Sequence, residues 1–249
     1  MDLDTLAAPT FDGAAPSMKR IYDRIDHHRE QLKDHPLFRD IVLISDQDIP
    51  ERLKTWAPLF VHLAMTFRDI NQLYFAYSPP ANDYEREINA HAEIDSTHWR
   101  FLLDDLEAIG LKQHVQSYEQ AVTRIWPEEG RPIRHYMYSV VSRAQACGAS
   151  PLLRAAVMES GEATVKLFFS TTRLVAKRFE QVTGKTLRYF GDDHILSETD
   201  NPVDSSLFAE VTMDEGIAKL ALSMVDAHFQ NFSEFLDYKY FITFGRTAQ

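Results

Sequence analysis

Apolar residues along this chain recur mostly every three to four positions, the spacing that lines one face of a helix. From about Ser17 the residues Ile21, Ile25, His28 and Leu32 keep that period until His35-Pro36-Leu37-Phe38 interrupts it, as proline does. Asp48 and Pro50 then open a longer segment to about Tyr77, in which Leu53, Trp56, Leu59, Phe60, Leu63, Phe67, Ile70 and Leu73 stay on helical spacing. Pro79 and Pro80 end it. Asn82-Asp83 with Glu85 caps the next predicted helix, which continues through Trp99, Leu102 and Leu106 to Gly110. Further helices are predicted from about Gln113 to Ile125, Arg134 to Ala146, Ser150-Pro151 to about Val182, Asp192 to Asp200 and Met213 to Phe241. The short apolar run Ile41-Val42-Leu43-Ile44 suits a strand or a buried helical turn equally.

The pattern therefore predicts an all-α chain: one multi-helical bundle over residues 17–249, preceded by an arm over residues 1–16 that holds two prolines and no helical period. At 249 residues and 45% hydrophobic content the chain is long and apolar enough to bury one large core. A formal charge of −11 disfavours nucleic acid and anionic membrane surfaces, which need clustered basic residues. No run approaches the roughly 18 apolar residues of a membrane span, because Arg68, Asp69, Lys166 and Arg173 break the most apolar stretches. With Cys147 alone no intrachain disulfide can form, and Met-Asp-Leu-Asp-Thr lacks the features of a signal peptide, so a cytoplasmic location is expected.

Three segments carry candidate chemistry. In His91-Ala-Glu-Ile-Asp95-Ser-Thr-His98-Trp99, at about 100° per helical residue, positions 91, 95 and 98 fall within roughly 60° of one another while Glu93 points elsewhere. Two imidazoles and a carboxylate on one stripe beside Ile94 and Leu102 are costly to bury unless paired or bound to a metal. Glu159 interrupts the apolar run around Ala155, Val157, Val165 and Phe168, where an acid either turns to water or is held by a counter-charge or metal; Glu162, on a neighbouring face, is the reserve choice. His194 and Glu198 share a face of the short Asp192–Asp200 helix, with Asn201 one turn on. Together His91, Asp95, His98, Glu159, His194 and Glu198 form a set of N and O donors suited to two iron ions, with manganese as the alternative, in a helical bundle. Glu159 and His98 are the members expected to matter most for catalysis.

A His/carboxylate helix, a lone Glu on a long later helix and a His-x-x-x-carboxylate segment, in that order, resemble the haem-oxygenase-like di-iron oxidases, relatives of the TenA thiaminases and pyrroloquinoline quinone synthase. Leu32-x-x-His35-Pro36-Leu37-Phe38 resembles an early helix of the same superfamily. The resemblance covers about residues 20 to 240 by pattern rather than by close identity. It implies a haem-oxygenase-like helical bundle, often dimeric, in which Fe(II), two ions per chain, activates O2 to oxidise a small organic substrate. Two departures stand out: the family's first helix usually gives a Glu and a later His, and its final His is Asn201 here, just before Pro202. Asparagine is a poor iron ligand. The alternatives are a metal-free member of the fold, acting either as a cofactor-independent oxidase or as a ligand- or partner-binding protein. A thiaminase-like role would require a nucleophilic Cys, whereas Cys147 beside Gly148 reads as a small buried residue.

Overall fold

A computed structural model describes residues 16–200 and 204–245 of the chain. The first third comprises α1 (Met18–Leu32), α2 (Pro36–Asp40), a 3-10 turn (Ile41–Leu43), α3 (Ile49–Trp56), a second 3-10 turn (Ala57–Leu59), α4 (Phe60–Ile70) and a π-helical turn (Asn71–Phe75). There follow α5 (Asp83–Asp95), α6 (Trp99–Ala108), α7 (Tyr118–Ile125), α8 (Arg131–Ala146), α9 (Pro151–Thr183), α10 (Asp192–Asp200), α11 (Ser205–Ala209) and α12 (Glu215–Phe244). Among the described residues no strand occurs; one antiparallel bridge joins Ser17 to Thr212. The all-α expectation holds, and no described helix is long and apolar enough to cross a membrane. Of the arm expected over 1–16, only Pro16 lies within the described residues, its carbonyl accepting the Met213 amide.

Three predicted boundaries differ from the observed ones. The segment from Asp48 to Tyr77 is four pieces: Pro58 falls inside it, where a 3-10 turn separates α3 from α4, and the π-helical turn follows α4. The helix predicted to run to Gly110 breaks after Asp95. Ser96 and Thr97 donate their hydroxyls to the carbonyls of Glu93 and Ile94, and this local bonding competes with helix continuation. The helix expected from Gln113 starts at Tyr118 instead, with Ser117 accepting the Gln120 amide as its cap. Ile41–Leu43 is a 3-10 turn with Ile41 buried.

The bundle is organised around α9. Its first half is buried on all sides, through Leu153, Ala155, Ala156, Val157, Met158, Ser160, Gly161, Ala163 and Thr164, as befits a central helix. Small residues dominate that list, so neighbouring backbones can come close. The α1 and α12 helices pack along α9, α8 packs on α12, and α5 and α10 each lie against α9. Ser160 and Thr164 direct their hydroxyls to the carbonyls of Ala156 and Gly161, which keeps these polar groups satisfied in the interior. An aromatic cluster of Phe60, Phe168, Phe190 and Phe235 seals the core below.

Two glycines have opposite roles. A Cβ at Gly191, between Phe190 and α10, would lie 2.0 Å from the Leu187 carbonyl oxygen, so no side chain fits. A Cβ at Gly161, inside α9, would meet nothing within 4 Å. Gly191→Ala is therefore expected to destabilise by at least about 1–3 kcal/mol, whereas Gly161→Ala should stabilise by about 0.5–1 kcal/mol through helix propensity; urea unfolding of the two variants checks both signs.

Candidate metal centre

Asn82 and Glu85 cap α5, and the buried residues Ile88 and Ala92 fix which face turns inward. His91 and Asp95 share that face four residues apart, with His91 Nε2 3.3 Å from Asp95 Oδ2. Across the interface, Glu162 of α9 brings Oε1 to 3.2 Å from the same His91 nitrogen. Donor atoms of His91, Asp95 and Glu162 lie within 4.8 Å of one another, close enough to surround one ion. Glu162 is the reserve choice of the sequence, and it stands where Glu159 was expected. Three residues earlier on the helix, Glu159 lies in the electrostatic reach of Tyr22 and Asp26 on α1. Periodicity alone could not choose between the two, because both interrupt the same apolar run.

The break after Asp95 brings in His98. It sits in the turn before α6 and not on the α5 stripe, yet its Nδ1 lies 3.8 Å from Asp95 Oδ1. The Ser197 hydroxyl donates to the His194 carbonyl at 2.7 Å, which leaves His98 Nε2 as the donor in its 3.0 Å contact with Ser197 Oγ. Asp95 Oδ1 is buried and has no hydrogen-bond partner among the described residues.

His194, in the first turn of α10, is orientated by a longer relay. The buried Asp105 of α6, 0% exposed, accepts the amides of Arg188 at 2.5 Å and Phe190 at 3.0 Å and so pins the strap that leads into α10. Within that strap the Tyr189 carbonyl accepts His194 Nδ1–H at 3.0 Å, which leaves the lone pair of the neutral ring on Nε2. The His98 and His194 rings are 4.6 Å apart between centroids. Glu93 is exposed, as expected. Glu198 lies in the last turn of α10, and its side chain, like Asn201, falls outside the described residues.

Charge is distributed unevenly over these groups. Burial lowers the His91 imidazole, but Asp95 and Glu162 outweigh it and raise His91 to about 11, so the proton resides there. Burial raises Asp95 and His91 draws it back. Burial takes His98 down to about 3, with His194 adding to the effect, and takes His194 down to about 4. Glu159 is raised to about 7 by burial and then by the charge of Glu162. Lys166 Nζ, half-exposed, reaches Glu162 Oε2 at 3.3 Å. Cys147 is buried, its thiol pushed up to about 12 by burial, and donates to the Arg143 carbonyl, in keeping with a packing role.

The cluster opens on a cavity of about 50 Å³ whose walls include Leu63, Phe67, Val157, Met158 and Phe169 as well as Asp95, His98, Glu162 and His194. Such a volume holds a few waters or a short aliphatic group, well under a pocket of roughly 300–1,000 Å³ that takes a drug-sized ligand. No protein-family model matches this chain, and no curated protein matches it either.

In metal-free protein at pH 8, nitrogen NMR of the imidazoles is expected to show His91 doubly protonated and His98 and His194 neutral. Because the folded value of His91 lies above the roughly 6.5 of an unfolded histidine, its contribution to stability is complete below pH 6.5 and is lost as the pH rises towards 11. The stability gap between wild type and His91→Gln should accordingly narrow from pH 6.5 to 9. Asp105→Asn turns an acceptor into a donor facing two amides, and calorimetry should show a loss of about 1–3 kcal/mol.

Proposed function

We propose that this protein is a non-haem iron oxidase or oxygenase of the haem-oxygenase-like type, which uses O2 on a small and largely apolar organic substrate. The observation that carries the reading is the His91, Asp95 and Glu162 cluster, whose donor atoms lie within 4.8 Å of one another, with His98 Nδ1 3.8 Å from Asp95 Oδ1. His91, Asp95 and Glu162 would hold the first ion, and His98 and His194 present further nitrogens towards the same space. Mixed imidazole and carboxylate donors suit iron, and manganese by the same chemistry. Bound iron would supply O2 activation. The chain's own residues hold the ligands in fixed orientation and line the substrate space with apolar side chains that exclude water.

One observation favours a second reading. With His91 protonated and Lys166 on Glu162, two positive charges face the carboxylates of Asp95 and Glu162, so the cluster is balanced without an ion. A metal-free member of the fold, either a cofactor-independent oxidase or a ligand-binding protein, would use it in that form.

Anaerobic loading with Fe(II), elemental analysis and an absorbance scan on exposure to O2 separate the two. One to two irons per chain with a transient visible band are expected, with binding reduced at least tenfold in His91→Ala and Glu162→Ala. Glu159→Ala should keep the first ion. Wild-type protein that takes up no iron would remove the iron reading and leave the metal-free one.

A further inference from the structure

Beyond the cluster, the polar residues Asn71 and His228 also line the cavity, and His228 Nε2 is paired with the Thr164 hydroxyl at 3.1 Å. Asn71, 1% exposed, lines the cavity with Asp95, His98 and Glu162. It opens the π-helical turn Asn71–Phe75, in which its carbonyl accepts the Ala76 amide at 3.1 Å, five residues on. Wider turns of this kind are rare and recur at functional sites. The side-chain amide has one defined orientation: Nδ2 donates to the Phe67 carbonyl at 3.0 Å, and that carbonyl can only accept. Oδ1 is therefore left over. It is buried and has no hydrogen-bond partner among the described residues.

We infer that Asn71 determines substrate specificity, its Oδ1 accepting a hydrogen bond from a hydroxyl or amine on an otherwise apolar substrate. A packed interior does not normally retain an unsatisfied acceptor, and the groups that persist in that state call for a reason such as a ligand. The chemical class follows from what surrounds it. An acceptor rejects a carboxylate or an ether oxygen, neither of which has a proton to donate. The apolar walls favour a short alkyl body. A site built to hydrogen-bond a donor discriminates strongly against the analogue lacking it, because the acceptor is then left desolvated and unpaired. This inference rests on the cavity being the substrate site of the proposed function, but it needs no iron.

The test uses the full chain in EDTA, so that failure of iron binding cannot be mistaken for failure of Asn71. Butan-1-ol and its isomer methyl propyl ether share every atom and differ in the donor; NMR titration follows the Trp99 indole, which lines the cavity, and the Asn71 side-chain amide. The alcohol is expected to bind about fivefold or more tightly than the ether, the factor of one hydrogen bond, and the carbonyl carbon of the Asn71 side chain should shift with the alcohol alone. Asn71→Leu should abolish the preference while melting no lower than wild type, since it replaces an unsatisfied acceptor by a group of similar size. Equal binding of the two isomers to wild type, a preference that survives in Asn71→Leu, or no binding of the alcohol would each overturn the inference. Should the variant fail to fold, the wild-type carbon shift decides alone.

Discussion

The structure turns on one carboxylate in the middle of a buried helix. Glu162 lies in the half of α9 that has protein on all sides, where an isolated charge would be expelled or neutralised. His91 and Lys166 both reach it, Asp95 meets the same imidazole, and His98 approaches Asp95 in turn. The helices that surround α9 can be understood from this point. Small residues at Ala155, Ala156 and Ser160 admit neighbours at close range, α5 brings His91 to Glu162, and α9 itself supplies Lys166. Removing the carboxylate would leave His91 and Asp95 without their third partner, because breaking a buried ionic cluster at one member exposes the others to the full desolvation cost.

Orientation of the imidazoles is handled separately from their placement. His194 owes its ring nitrogen assignment to the Tyr189 carbonyl, and that carbonyl owes its position to Asp105 and to the absence of a side chain at Gly191. His98 takes its assignment from Ser197, one turn along α10 from His194. The strap thus sets one ring and the short helix that follows it sets the other. Mixed helical and loop support of this kind is how protein sites hold a nitrogen lone pair in a chosen direction.

Much of this was legible in the chain and some of it was not. The 3.6-residue period located α1, α8, α9 and α12 nearly to their ends, because long amphipathic segments with proline, serine or glycine at their borders leave little choice. His91 and Asp95 were readable for the same reason, being four apart on one helix. His98 was identified on a wrong premise: the spacing placed it on the helix, and a turn set off by Ser96 and Thr97 brought it to the same partner. Glu162 against Glu159 was beyond periodicity, since the choice depends on where α1 and α5 settle on α9. Asp105 and Asn71 gave no signal, each being one polar residue in an ordinary helical stretch whose importance lies in contacts distant along the sequence.

The interruption between α5 and α6 has a mechanical consequence. His91, Asp95 and Glu162 are fixed to regular helices, whose backbone hydrogen bonds resist small displacements, whereas His98 stands on a three-residue corner. One side of the centre is stiff and the other compliant. A change in the distance between Asp95 and His98 can be taken up by rotation of that corner with neither helix unwinding, so that separation is less tightly fixed than the one between His91 and Glu162.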